Sequence, residues 1–197
     1  MADKGLILAL VLLVLSRTDN GFMNQRAYAF ILLVGVSSLY IILSKRGFKD
    51  YLIGLGDYRN GIKYSVILLV LALPFMYYGT RLASFREYYP LWDAERDSVG
   101  AFLFYEVIVM GALMFYTEFF YRGFLLKSLT GHTRYGNLIQ SVIYMYVHLG
   151  KPGLEVWWSL PAGYVFGKVD LKCDSILPSF LMHWISSMIF NAMIVYW

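Results

Sequence analysis

The distribution of formal charge along this chain leaves few folds open to it. Ala27–Ser44 and Tyr64–Thr80 carry no charged residue, Ser98–Thr117 carries only Glu106, and Ser175–Trp197 carries none. A helix rises about 1.5 Å per residue, so each stretch has the length needed to cross a hydrocarbon core roughly 30 Å thick. The runs do not alternate polar with apolar residues, as strands of a membrane barrel must. Composition agrees: 59% of residues are hydrophobic and 15% charged, against about a quarter charged in soluble domains. The expected fold is all-α, a polytopic transmembrane helical bundle.

Three shorter apolar stretches, Gly5–Ser16, Leu138–Val147 and Val156–Gly167, bring the expectation to six or seven helices. Lys4 precedes the first, but no small-residue cleavage pattern follows it, so it reads as a retained helix. No linker, repeat or low-complexity tract divides residues 1–197, which therefore form one transmembrane domain. Arg81–Asp97 reads as an interfacial loop or surface-lying helix, and Gly163 and Gly167 permit close helix packing. If all seven segments cross, one side receives Lys4, the Lys45–Lys63 loop, Arg122, Lys127, Arg134, Lys168 and Lys172. That is most of the 17 basic residues, and it makes this side cytoplasmic in a multi-pass protein of the cell membrane. The net charge of +4 is membrane anchoring and calls for no nucleic acid. The single cysteine, Cys173, falls in a short cytoplasmic loop and excludes both an intramolecular disulfide and a cysteine metal cluster.

Ionisable residues at membrane depth must face a bundle interior or a wet cavity, so they carry most of the functional information. Glu118 and Arg122, four apart, share one helix face. His148 ends the short fifth segment. His183 lies in the last, with Ser187 one turn and Asn191 two turns further on. A structural ion pair and two hydrogen-bonded core histidines would account for each singly. Their convergence in the C-terminal half points to chemistry. A carboxylate with an imidazole can deprotonate a water, a second imidazole can stabilise an oxyanion, and the arginine keeps the acid ionised. That set suits hydrolysis of a peptide bond. The same glutamate and two histidines would also fit zinc with one open position, but no HExxH element is present, so no metal or other cofactor is expected. His132, in a polar loop, reads as a solvated surface residue.

EFFYRGFLL, then YMYVH, then GYVFGKVDLKCDSILPSFLMHWISS resemble the three motifs of the CPBP family, the CAAX prenyl proteases and bacteriocin-processing (Abi) enzymes. The family is one of glutamic intramembrane proteases, and the resemblance spans about residues 98–190. Its pattern is Glu-Glu-x-x-x-Arg, Phe-x-x-x-His and His-x-x-x-Asn. Here the first glutamate is Thr117, the second Glu118 and the arginine Arg122. Tyr144 stands for the phenylalanine before His148, and Ser187 for the asparagine after His183. The resemblance implies an intramembrane endopeptidase acting on a hydrophobic peptide or membrane-anchored protein within the lipid bilayer. Three readings remain open. Glu118 is the base, with Thr117 helping to place water. Alternatively, Glu155 folds back beside His148 and supplies the missing carboxylate. In the third, the chain is a catalytically inactive CPBP-like protein acting in peptide binding, immunity or maturation.

Overall fold

The computed structural model describes residues 4–18 and 25–197. Among the described residues eight helices longer than a single turn follow one another: α1 (Lys4–Leu15), α2 (Gln25–Leu43), α3 (Tyr58–Gly79), α4 (Ala83–Tyr88), α5 (Val99–Thr130), α6 (Gly136–Tyr146), α7 (Gly153–Cys173) and α8 (Leu177–Tyr196). The described residues include no strand. Setting aside the short α4, the other seven answer to the seven segments expected. Helices α2, α3, α5 and α8 are long and apolar enough to cross a membrane, and only 11% of the apolar window of α3 is buried within the protein. Such outward apolar surface is stable where lipid is the solvent.

Helix α5 is the axis of the bundle. The charge pattern ends its span at Thr117 and leaves Glu118 at the edge. In the structure the helix runs on to Thr130, 32 residues or ~48 Å. Phe119 through Leu126 are all buried, and Phe120, Phe124 and Leu125 pack in one core with Leu12, Leu33, Ile41 and Tyr51. The ion pair therefore lies inside the protein. Over Phe119–Leu125 the helix widens into a π-helical turn, a distortion often found at functional sites.

The other helices close on one another through small residues. Helix α6 packs most extensively on α7. A Cβ on Gly163 would come within 3.4 Å of the Ser141 backbone, and one on Gly167 would overlap Asn137 Oδ1. Helices α3 and α8 meet where Gly61 faces Pro178 and Gly79 faces Phe190, and Ser65 Oγ donates to the Pro178 carbonyl at 3.0 Å. Loop residue Gly56 has φ +49° and fits beneath the carbonyl of Cys173, where any side chain would collide. Cys173 is the last residue of α7 and is buried, so it does not lie in an open loop as its sequence position suggests.

The Arg81–Asp97 stretch forms α4 and a single turn at Asp93–Arg96. Glu95, in that turn, is wholly buried although it lies in a stretch rich in loop charges.

Candidate active site

Glu118 is placed by the centre of α5, where the surrounding aromatic residues exclude solvent; neither it nor Arg122 has any exposed surface. Arg122 Nε lies 3.4 Å from Glu118 Oε2. Its guanidinium carbon sits 4.2 Å from the centre of the Tyr144 ring and 5.9 Å from that of Phe166. A buried guanidinium is thus compensated by one carboxylate and two ring faces.

The other Glu118 oxygen, Oε1, lies 2.6 Å from His183 Nδ1. An ionised carboxylate only accepts, so Nδ1 carries the proton and the pair joins α5 to α8. Tyr144 Oη stands 3.5 Å from the same nitrogen. With one proton available, the shorter contact to Glu118 takes it. His148, just past α6, directs its own Nδ1 at the Tyr144 carbonyl at 2.7 Å, and its ring centre is 4.4 Å from that of Tyr144. A carbonyl also only accepts, so His148 holds its proton on Nδ1. Both imidazoles thereby keep the lone pair on Nε2, the tautomer a proton acceptor requires. They flank the ring of Tyr144.

The structure therefore brings Glu118, Arg122, Tyr144, His148 and His183 together from α5, α6, the turn after α6, and α8. Thr117 Oγ1 donates instead to the Leu113 carbonyl of its own helix at 2.8 Å. Ser187 is half-buried one turn past His183, and among the described residues no hydrogen bond ties its hydroxyl to the cluster. Glu155 turns to other partners: Tyr89 Oη donates to its carboxylate at 2.8 Å, and Lys151 Nζ pairs with it at 2.6 Å. Burial and the Glu155 charge raise the Tyr89 phenol well above its ordinary value, so Tyr89 stays a donor. His132 is exposed, with Nδ1 on the Ser128 carbonyl, as a surface residue should be.

Two further polar groups escape a reading by motif. Asp170 is fully buried on α7, accepts from the Ser179 backbone N–H at 3.1 Å, and lies within electrostatic reach of Glu118 and Arg122. Its signal in the sequence was a lone acid among the Lys168 and Lys172 charges, indistinguishable there from a solvated residue. Glu106, Glu95 and Asn191 form a second cluster away from the histidines. Asn191 Nδ2 donates to Glu106 Oε1 at 2.6 Å, and Glu95 lies against Glu106. Among the described residues, no group of three or more His, Cys, Asp or Glu side chains has the arrangement of a metal site.

An all-helical membrane bundle with a buried glutamate, an arginine and two histidines converging on it has the makings of a membrane-embedded hydrolase. Residues 99–189 match the sequence model of the family described as type II CAAX prenyl endopeptidase Rce1-like. All four converging ionisable residues fall inside that segment, and the resemblance to the CPBP, or CAAX-protease, family is borne out over it. No curated protein and no solved structure matches the chain. The match supports a CAAX-type intramembrane protease that meets its peptide or protein substrate at the bilayer.

Proposed function

We propose that this chain is an endopeptidase that cleaves a membrane-associated peptide or protein with a water activated by Glu118 through His183. The supporting observation is the 2.6 Å contact between Glu118 Oε1 and His183 Nδ1, which unites the first and third motifs across 65 positions of sequence. Both oxygens of Glu118 are engaged, one by Arg122 and one by His183, so its charge acts on the imidazole behind it. His183 Nε2 accepts a proton from water, hydroxide adds to the scissile carbonyl, and Glu118 stabilises the imidazolium formed. The imidazolium then returns that proton to the departing amine, so no proton is lost or gained over the cycle. His148 Nε2 accepts the second O–H of the same water and aligns it. This arrangement is a single-glutamate variant of the family pattern, in which Thr117 has no part in activating water.

The test is cleavage of an internally quenched, farnesylated peptide ending in a CAAX sequence by the full chain in liposomes. Wild type is expected to cleave, and Glu118→Gln and His183→Ala are expected to lose the activity. Cleavage by Glu118→Gln at the wild-type rate would sink the mechanism. The inactive reading draws support from Thr117, whose hydroxyl is turned into its own helix. It predicts that wild type binds the peptide and leaves it intact.

A further inference from the structure

At the end of the bundle richest in lysine and arginine, a groove of about 590 Å³ opens between the start of α6 and the last turns of α7. Arg134 and Lys168 face it from different elements. Among the described residues neither makes an ion pair, and no carboxylate lines the groove. Each cation is held against a tyrosine instead. The Arg134 guanidinium lies 4.8 Å from the centre of the Tyr135 ring and donates to its hydroxyl at 2.7 Å, and Lys168 Nζ lies 5.4 Å from the Tyr164 ring. Two uncompensated cations are thus positioned by rings.

The rest of the groove is of a different character. Leu138 and Leu171 give it apolar walls. Its floor is the close approach of α6 and α7, where Asn137 fits over Gly167 and donates to the Tyr164 carbonyl at 2.9 Å. Helix α6 begins at the groove, and the positive end of its dipole adds partial positive charge there. A ligand fitting this site bears concentrated negative charge at one end and hydrocarbon at the other. Its position at the basic end of a membrane bundle supplies such molecules directly.

We propose that this groove binds the phosphate of an anionic phospholipid, with Arg134 and Lys168 on the phosphate oxygens and Leu138 and Leu171 against the start of the acyl chains. The site is separate from the Glu118–His183 cluster and does not depend on the chain being a protease. Charge on two cations at an anionic headgroup corresponds to roughly a thirty-fold difference in affinity.

The experiment titrates short-chain phosphatidylglycerol into the detergent-solubilised full chain and reads thermal stabilisation, with short-chain phosphatidylcholine and inorganic phosphate as parallel titrants. Wild type should show saturable stabilisation by phosphatidylglycerol alone. Arg134→Gln/Lys168→Gln should shift the midpoint to roughly thirty-fold higher lipid. Lys49→Gln/Lys63→Gln removes the same charge from exposed positions at the same end and should leave the midpoint in place. All four substituted positions are exposed, and a monodisperse, helical product confirms folding before the titration. Equal loss in the two double variants would overturn the site in favour of general surface charge. Equal stabilisation by phosphatidylcholine, or by inorganic phosphate alone, would overturn the anionic-lipid assignment.

Discussion

Substituting Glu118 by glutamine keeps the shape of the side chain and removes its charge, leaving the Arg122 guanidinium buried against two rings with its carboxylate partner gone. At the observed 3.4 Å, two unit charges attract by about 5 kcal/mol at an effective dielectric near 20. Neither residue has exposed surface through which solvent would screen the pair. Removing one member of such a pair typically costs about 3–5 kcal/mol, whereas removing both is close to neutral. Glu118→Gln is therefore expected to lose about 3–5 kcal/mol of stability. Glu118→Gln/Arg122→Met should recover most of that loss, because no unpaired charge remains inside. Equilibrium unfolding by SDS in mixed micelles, followed by tryptophan fluorescence, measures both. Peptide cleavage, measured alongside, should be absent from both variants, which separates the pair's role in the fold from the role of Glu118 in chemistry. A Glu118→Gln variant within 0.5 kcal/mol of wild type, or a double variant less stable than the single one, would refute the account of the buried pair.

Other perturbations follow from the same geometry. His148→Ala and His183→Ala should each lower the cleavage rate by about 10²–10⁴-fold with little change in KM, since groups that align and deprotonate the attacking water act in the transition state; a KM effect alone would make them binding residues. Gly167→Ala drives a methyl into Asn137 Oδ1 and should destabilise by about 1–3 kcal/mol. Asn137→Ala in the same chain should relieve part of that cost, as a double-mutant cycle would show. Burial and the adjacent Glu106 carboxyl raise Glu95 above the ordinary carboxylate range, so the folded chain keeps a proton the unfolded chain has released. Stability should then be greatest below the unfolded carboxylate pKa and fall as pH rises through the raised folded value. Glu95→Gln should flatten that dependence, and a profile unchanged by the substitution would count against it. Tyr89→Phe removes the phenol from Glu155 and should lose about 1.5–3 kcal/mol, the range for a hydrogen bond to a charged group, in the same unfolding assay.

The membrane character, the all-helical class and the seven segments are legible in the chain because lipid imposes one-dimensional rules. Backbone polar groups in hydrocarbon must bond within their own segment, so span length and charge spacing are enough to locate helices. Helix α5 shows where those rules stop. A charge ends a span when the helix faces lipid, but Glu118 and Arg122 are shielded by protein on every side and compensate each other, so the helix continues past them. Glu95 errs in the opposite direction. Its loop composition reads as solvated, yet the turn at Asp93–Arg96 carries it inside against Glu106.

The candidate site divides in the same way. Residue spacing along one helix already pairs Glu118 with Arg122, and the motif resemblance selects His148 and His183 among the ionisable groups. Which of them touch is a matter of packing between helices. Glu118 reaches His183 from 65 positions away, His148 is turned by a carbonyl on its own chain, and Asp170 is drawn in by the backbone of Ser179. Glu155, seven residues past His148 in the chain, is taken instead by Tyr89, 66 positions distant, and by Lys151. Local sequence settles what each helix is and which face is polar, because those depend on hydrogen bonds and side chains within a few turns. The tertiary structure alone decides which polar face meets which, since that follows from where small residues such as Gly163 and Gly167 let two helices approach.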